Sequence, residues 1–205
     1  MKLSRWLPPV LGLLVFLLTV VGLGLVSTDW VSRNLEMRAL VSAVEDSEDA
    51  MQWTDDQVQS TIKQYGANGK LTDAEKKKAW DALSEAAYAG EFAISAAGEE
   101  VAGVTILPWH TDILNAQSAY LAHNEAWQAY MKAATDDPTQ LFKTQPDINS
   151  TFEAAQPYME KAVPIPALFE LKDRVIAIFA PAAEATPSGP TQEVTLRGSG
   201  VTSPV

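Results

Sequence analysis

The side chains that most often carry chemistry are few in this chain and poorly spaced for it. His110 and His123 are its two histidines. No His-x-x-x-His or Glu-x-x-His pair is formed, which is how helices usually gather a metal. Each is expected as a helix-start or helix-surface residue, and neither is expected to hold a metal or cofactor. Cysteine is absent, which removes disulfides, thiolate metal ligands and cysteine nucleophiles together. The serines lack the G-x-S-x-G turn that presents a nucleophile, and there is no glycine-rich phosphate loop. Carboxylates are abundant, but no spacing selects an acid–base pair. The first expectation is a protein that is not an enzyme, and an acid–base enzyme of the cell envelope stays open as an alternative.

Three groups remain as candidates for binding. Glu45, Asp46, Glu48, Asp49, Asp55 and Asp56 form an acidic run with no Lys or Arg between positions 39 and 62. Such a run is a solvated helix face or a dock for a basic partner surface. Gln117, Tyr120, Asn124 and Trp127 alternate polar and aromatic groups along the apolar face of one expected helix. They read as core with a register-fixing polar pair, or as contacts to a small ligand. The third is the segment 64–75, which has the outline of a calcium-binding EF-hand loop. Asn68, Gly69, Leu71 and Glu75 suit its fifth, sixth, eighth and twelfth places. Gln64 and Gly66 stand where the first and third carboxylates belong, so the ion would lose most of the site's charge. An Asn-Gly turn, with Thr72 as the cap of the next helix and Glu75 as its partner, is the simpler reading; a cation site is the alternative.

The elements that would position these groups are helical. Trp30, Met37, Leu40, Val44 and Met51 fall on one face, predicting a helix over about 29–52. Thr54-Asp55-Asp56-Gln57 predicts a new helix start. A second capping box at Thr72–Glu75 opens the longest stripe: Trp80, Leu83, Ala87, Gly90, Ile94, Ala97, Val101, Val104. Its steps alternate three and four, a heptad seam with a small-residue middle that invites close approach by another helix. Pro108 stops it. A helix from a Thr111 cap to about Thr135, a shorter one capped at Ser150-Thr151 and ending near Lys161, and a last one through Leu171, Val175 and Phe179 complete the pattern. Lys76-Lys77-Lys78 reads as an exposed helix face. No β pattern of useful length appears beyond a weak Glu193–Leu196. From Pro181 the chain is rich in Pro, Ser, Thr and Gly, which suits an irregular tail.

The N-terminus decides where this bundle would sit. From Trp6 to Val26 there is no charged side chain. As a helix that run measures about 31 Å, close to a bilayer's hydrocarbon core. It is longer than a cleavable signal's apolar region and lacks a small-residue cleavage site beyond it. Trp6 and Trp30 bracket it at interfacial depth, and Lys2 and Arg5 favour a cytoplasmic N-terminus. The expected organisation is all-α: a cytoplasmic stub over 1–5, a transmembrane helix over 6–27, an extracytoplasmic helical bundle over 28–180 and a tail over 181–205. The net charge of −11 makes nucleic acid a poor partner. A stub of five residues holds no output domain. The expectation is therefore a non-enzymatic, single-pass accessory subunit of the bacterial cytoplasmic membrane. It would touch lipid through 6–27 and dock on a larger integral membrane complex through the anchor and the small-residue seam. The layout is shared with single-span extra subunits of respiratory complexes and supercomplexes, an analogy of architecture. The alternative is an anchored extracytoplasmic module for a small ligand or cation.

Overall fold

The computed structural model describes residues 7–66, 71–143 and 145–180; of these, 7–18, 20–26 and 146 are described in backbone only. The described residues form helices and no strand. In chain order they are α1 (Leu7–Gly66), α2 (Asp73–Gly103), α3 (Thr111–Asp136), a 3-10 turn (Pro138–Phe142), α4 (Pro146–Ala162) and α5 (Leu171–Ile178).

α1 is a single helix of 60 residues, roughly 90 Å long at ~1.5 Å per residue. The break expected at Thr54 does not occur. Thr54 is fully buried and its hydroxyl donates back to the Ala50 carbonyl at 2.8 Å. Inside an unbroken helix the backbone N–H groups that a cap would accept from are already bonded to the preceding turn, so the hydroxyl turns back on a carbonyl of its own helix. Thr72, by contrast, caps α2 as expected: its hydroxyl accepts from the Glu75 N–H, and the Glu75 carboxylate accepts from the Thr72 N–H at 2.8 Å. Two further starts are corrected. His110, not Thr111, stands at the N-cap position of α3, with no side-chain cap bond. α4 begins at Pro146 rather than Ser150. Proline needs no N–H partner in a first turn, and the Ser150 and Thr151 hydroxyls instead donate to the Asp147 carbonyl.

Cross-helix contacts give the direction of each element. Leu107 meets Glu36 while Gly90 meets Thr54, so α2 runs antiparallel to α1. Gln117 bonds Val101, Asn124 bonds Ile94, and Ser84 donates to Thr135, so α3 returns against α2. Asp112 pairs with Lys161 and His123 with Ile148, reversing α4 again. α5 then lies along α1 in the same direction, with Leu168 at Asn34 and Arg174 at Ser42 and Glu45. The result is an up-and-down four-helix bundle with α5 as a strap.

Two apolar clusters fill it. The upper one, nearer residue 27, joins Met37, Leu40, Val41 and Val44 of α1 to Val101, Ile113, Tyr120, Met159, Leu171 and Val175. The lower one joins Met51, Ala87, Ile94, Met131 and Ala134. The heptad seam of α2 is spent inside the chain. Leu83, Ala87, Gly90, Ile94, Ala97 and Val101 are all buried. A Cβ at Gly90 would overlap the Thr54 methyl, and one at Gly98 would overlap the Asn124 side chain. The seam therefore admits α1 and α3 and leaves no face for an outside helix, which overturns its expected part in docking.

No helix among the described residues is long and apolar enough to cross a membrane. The charge-free run over 6–26 falls almost wholly on side chains outside those residues. The stub over 1–5, the Asn68-Gly69 turn and the tail over 181–205 with its weak β segment also lie outside them.

Candidate functional site

Two clusters of polar and titratable groups sit inside the bundle. The upper one is built on α1 between residues 29 and 36. Asp29 and Glu36 are seven residues apart and share a helix face. Between them lies the ring of His110, which is fully buried. Its Nδ1 is 2.6 Å from the Glu36 carboxylate and its Nε2 is 3.0 Å from that of Asp29. A neutral imidazole supplies one N–H donor. Carboxylates on both ring nitrogens therefore call for one further proton within the trio. The Asp29 carboxyl is held below its usual range, first by the hydrogen bond from His110, against the cost of burial, with Arg33 and Trp109 adding to it. Arg33 Nε donates to Asp29 at 3.1 Å, the Trp109 indole at 3.2 Å, and the Leu107 N–H reaches Glu36 at 3.3 Å. The trio pins the α2–α3 connection to α1.

The α4–α5 connection is pinned at the same level. The Trp30 indole donates to the Pro166 carbonyl at 2.9 Å. The buried Asn34 donates to the Trp30 carbonyl and accepts from the Leu168 N–H at 2.7 Å. The Ile165–Pro166 peptide is cis.

The second cluster is a polar layer between the two apolar ones. Asn124 donates to Ser47 at 3.0 Å and to the Ile94 carbonyl at 3.2 Å, and accepts from Gln128 at 2.7 Å. One turn above, the Tyr120 hydroxyl donates to Glu48 at 2.7 Å. Burial pushes the Glu48 carboxyl above its ordinary range, against the Tyr120 bond that lowers it. Burial, with the Glu48 charge beside it, raises the Tyr120 phenol far beyond its usual value, so it stays protonated. His123 lies next to them, its Nδ1 3.2 Å from the Ile148 carbonyl. A carbonyl only accepts, so Nδ1 carries the proton and the Nε2 lone pair faces Glu48 at 3.8 Å. Burial lowers the His123 pKa to about 4. Its ring is walled by Phe152, which in turn packs on Phe179. Both histidines are thus interior and not surface residues; His110 stands at the start of α3, as expected, and His123 lies within that helix.

The candidate ligand contacts are engaged internally. Gln117 donates to the Val101 and Val104 carbonyls and so closes the C-terminal end of α2. It does not pair with Asn124. Tyr120 and Asn124 are buried and bonded as above, and Trp127 packs beside Tyr130 against the lower core. No buried side-chain nitrogen or oxygen among the described residues lacks a partner.

The acidic run divides. Glu45 pairs with Arg174 and Glu48 with Tyr120, so a cation far along the chain offsets what the local sequence leaves uncompensated. Asp46, Asp49, Asp55 and Asp56 are exposed. Asp46, Asp49 and Asp56 share one outward stripe of α1 with Trp53, which is 45% exposed. Lys77 and Lys78 are exposed as expected. In the segment 64–75, Glu75 is committed to the Thr72 cap. Among the described residues no group of three or more His, Asp or Glu side chains is placed to hold a metal.

Comparison with protein-family models, with curated proteins and with solved structures found no match. Function therefore rests on the geometry of this chain alone. Sequence reasoning missed the Asp29–His110–Glu36 trio. Its one local signal was the seven-residue spacing of two carboxylates on the edge of the Trp30–Met37 face.

Proposed function

We propose that this protein is a non-enzymatic, membrane-anchored accessory subunit. It stands as a bundle on the bilayer and works by contact with an integral membrane complex. The observation that carries this reading is the continuity of α1. The helix that carries the upper core begins at Leu7 and has no break at the end of the charge-free run. A 60-residue helix so built couples whatever holds residues 6–26 to the bundle as a rod, not through a flexible linker. The interior clusters point the same way. Tyr120 and His123 are buried and held in their neutral forms, which suits a scaffold.

The partner-facing surface in this reading is the outward stripe of Asp46, Asp49, Trp53 and Asp56. An exposed indole among carboxylates suits a basic surface with an apolar slot. Nothing in the bundle narrows the partner to a respiratory complex. A small-ligand module on Gln117, Tyr120, Asn124 and Trp127 has no observation in its favour, since the polar groups there are bonded within the bundle.

The test uses the tagged full chain in native membranes. It should resist extraction by alkaline carbonate and, after mild detergent, co-purify in fixed ratio with a larger membrane complex. Replacing Asp46, Asp49 and Asp56 together with Lys should abolish co-purification and leave membrane retention intact. Release by carbonate, or recovery as a lone monomer, would overturn the reading.

A further inference from the structure

Several exposed apolar side chains of the upper bundle gather at one level of α1. Asp29, Trp30 and Val31 leave α1 in three directions, about 100° apart on a helix of 3.6 residues per turn. Trp109 is anchored on the first direction through its bond to Asp29, yet the residue is 61% exposed. Ile165 sits on the second, beside the Pro166 carbonyl that Trp30 holds, and is 95% exposed. Val31 occupies the third, and with Leu35 it lines an open apolar hollow of about 310 Å³ with Ser27, Thr28 and Ser32. Two separate loops are thus tied by hydrogen bonds to consecutive residues of α1, and each presents a large apolar side chain to solvent at that level.

We propose that Trp109, Ile165 and Val31 form a collar that seats the bundle in the interfacial layer of a lipid bilayer. The inference rests on the membrane reading above and adds to it. The occupant follows from continuity: the charge-free run ends at Val26, three residues before Asp29. If α1 enters a bilayer there, its next turn lies at headgroup depth. An indole with its N–H bonded and its ring outward suits that depth, where one end of the group is apolar and the other wet. Net charge of −11 makes attraction to anionic lipid an unsuitable cause. The seat is apolar, and zwitterionic lipid suffices for it. The collar fixes the tilt of the bundle on the membrane, because lipid on three sides of α1 resists rocking.

The chain has no cysteine, so single labels are clean. Ile165→Cys and Trp109→Cys, each carrying an environment-sensitive fluorophore, are compared with Phe142→Cys at the opposite end of the bundle. The probe is a phosphatidylcholine nanodisc with and without brominated acyl chains. The collar labels should shift to the blue on incorporation and lose most of their emission to brominated lipid, while the Phe142→Cys label stays aqueous. Added salt should leave this unchanged. If the chain incorporates but the collar labels remain aqueous, the collar is overturned and the anchor stands. Labels that become shielded only in native membranes would assign the same side chains to a protein partner and likewise overturn a lipid seat. A chain that fails to incorporate overturns the anchor itself, and the collar with it.

Discussion

Burial turns His123 into a pH-sensitive weak point. Its folded pKa is about 4, below the ordinary value of 6.5. Above pH 6.5 the ring is neutral in both folded and unfolded chains and contributes no pH dependence. As pH falls through 6.5 the unfolded chain takes up a proton that the folded one refuses until about 4. Stability is lost across that window, by up to about 3 kcal/mol from one such group. Glu48 acts in the opposite sense. Its carboxyl is raised in the folded state, so the folded chain binds the proton first and gains stability on acidification. The Glu48 and His123 side chains face each other at 3.8 Å, and the measured slope is the balance of the two. Denaturant titrations at successive pH values separate them. His123→Gln should flatten the loss between pH 6.5 and 4, and Glu48→Gln should steepen it. An unchanged slope in His123→Gln would place the acid sensitivity elsewhere.

At the scale of elements, the stability of the bundle depends on how closely α2 approaches its neighbours. Gly90 lies against Thr54 of α1. Thr54 is buried, β-branched and tied by its hydroxyl to Ala50, so its methyl has no free rotamer to retreat into. Gly90→Ala would gain up to about 1 kcal/mol of helix propensity. The overlap costs about 1–3 kcal/mol and wins because neither helix backbone yields easily. Thermal denaturation should show Gly90→Ala less stable than the native chain. Thr54→Ser, which removes the overlapping methyl, should return most of the loss in the double variant. This packing is where the sequence was most and least informative. The seam from Leu83 to Val101 is legible because its three-four spacing survives intact, and so is the small middle. Which helix fills the seam is not legible, since one small-residue stripe suits an inner and an outer neighbour alike. Thr54 and Ser150 misled for a shared reason. Both sit in capping-box patterns, but each lies inside a helix that began earlier, where the hydroxyl turns back on a carbonyl of the preceding turn. The two interior histidines were hidden because their partners lie 74 and 25 positions away, beyond any local pattern.

For the whole molecule, the decisive property is that one helix carries both the charge-free run and the bundle. A break near Thr54, as the capping pattern suggests, would let the lower bundle fold back and would shorten the protein. An unbroken α1 sets its reach instead. Ala39 and Gln64 are both exposed and lie on opposite sides of the suspected break. Along a continuous helix their Cα atoms are about 38 Å apart. Spin labels on the Ala39→Cys, Gln64→Cys double variant should give one narrow distance distribution near that value, after allowance for label length. It should be the same in detergent and in phosphatidylcholine nanodiscs, because Met51 and Val58, on either side of the suspected break, are both buried irrespective of what surrounds the upper end. A broad or shorter distribution would mean that α1 bends at Thr54. The rod would then be two jointed pieces, and a contact made at Trp53 would no longer stand at a fixed height above the collar.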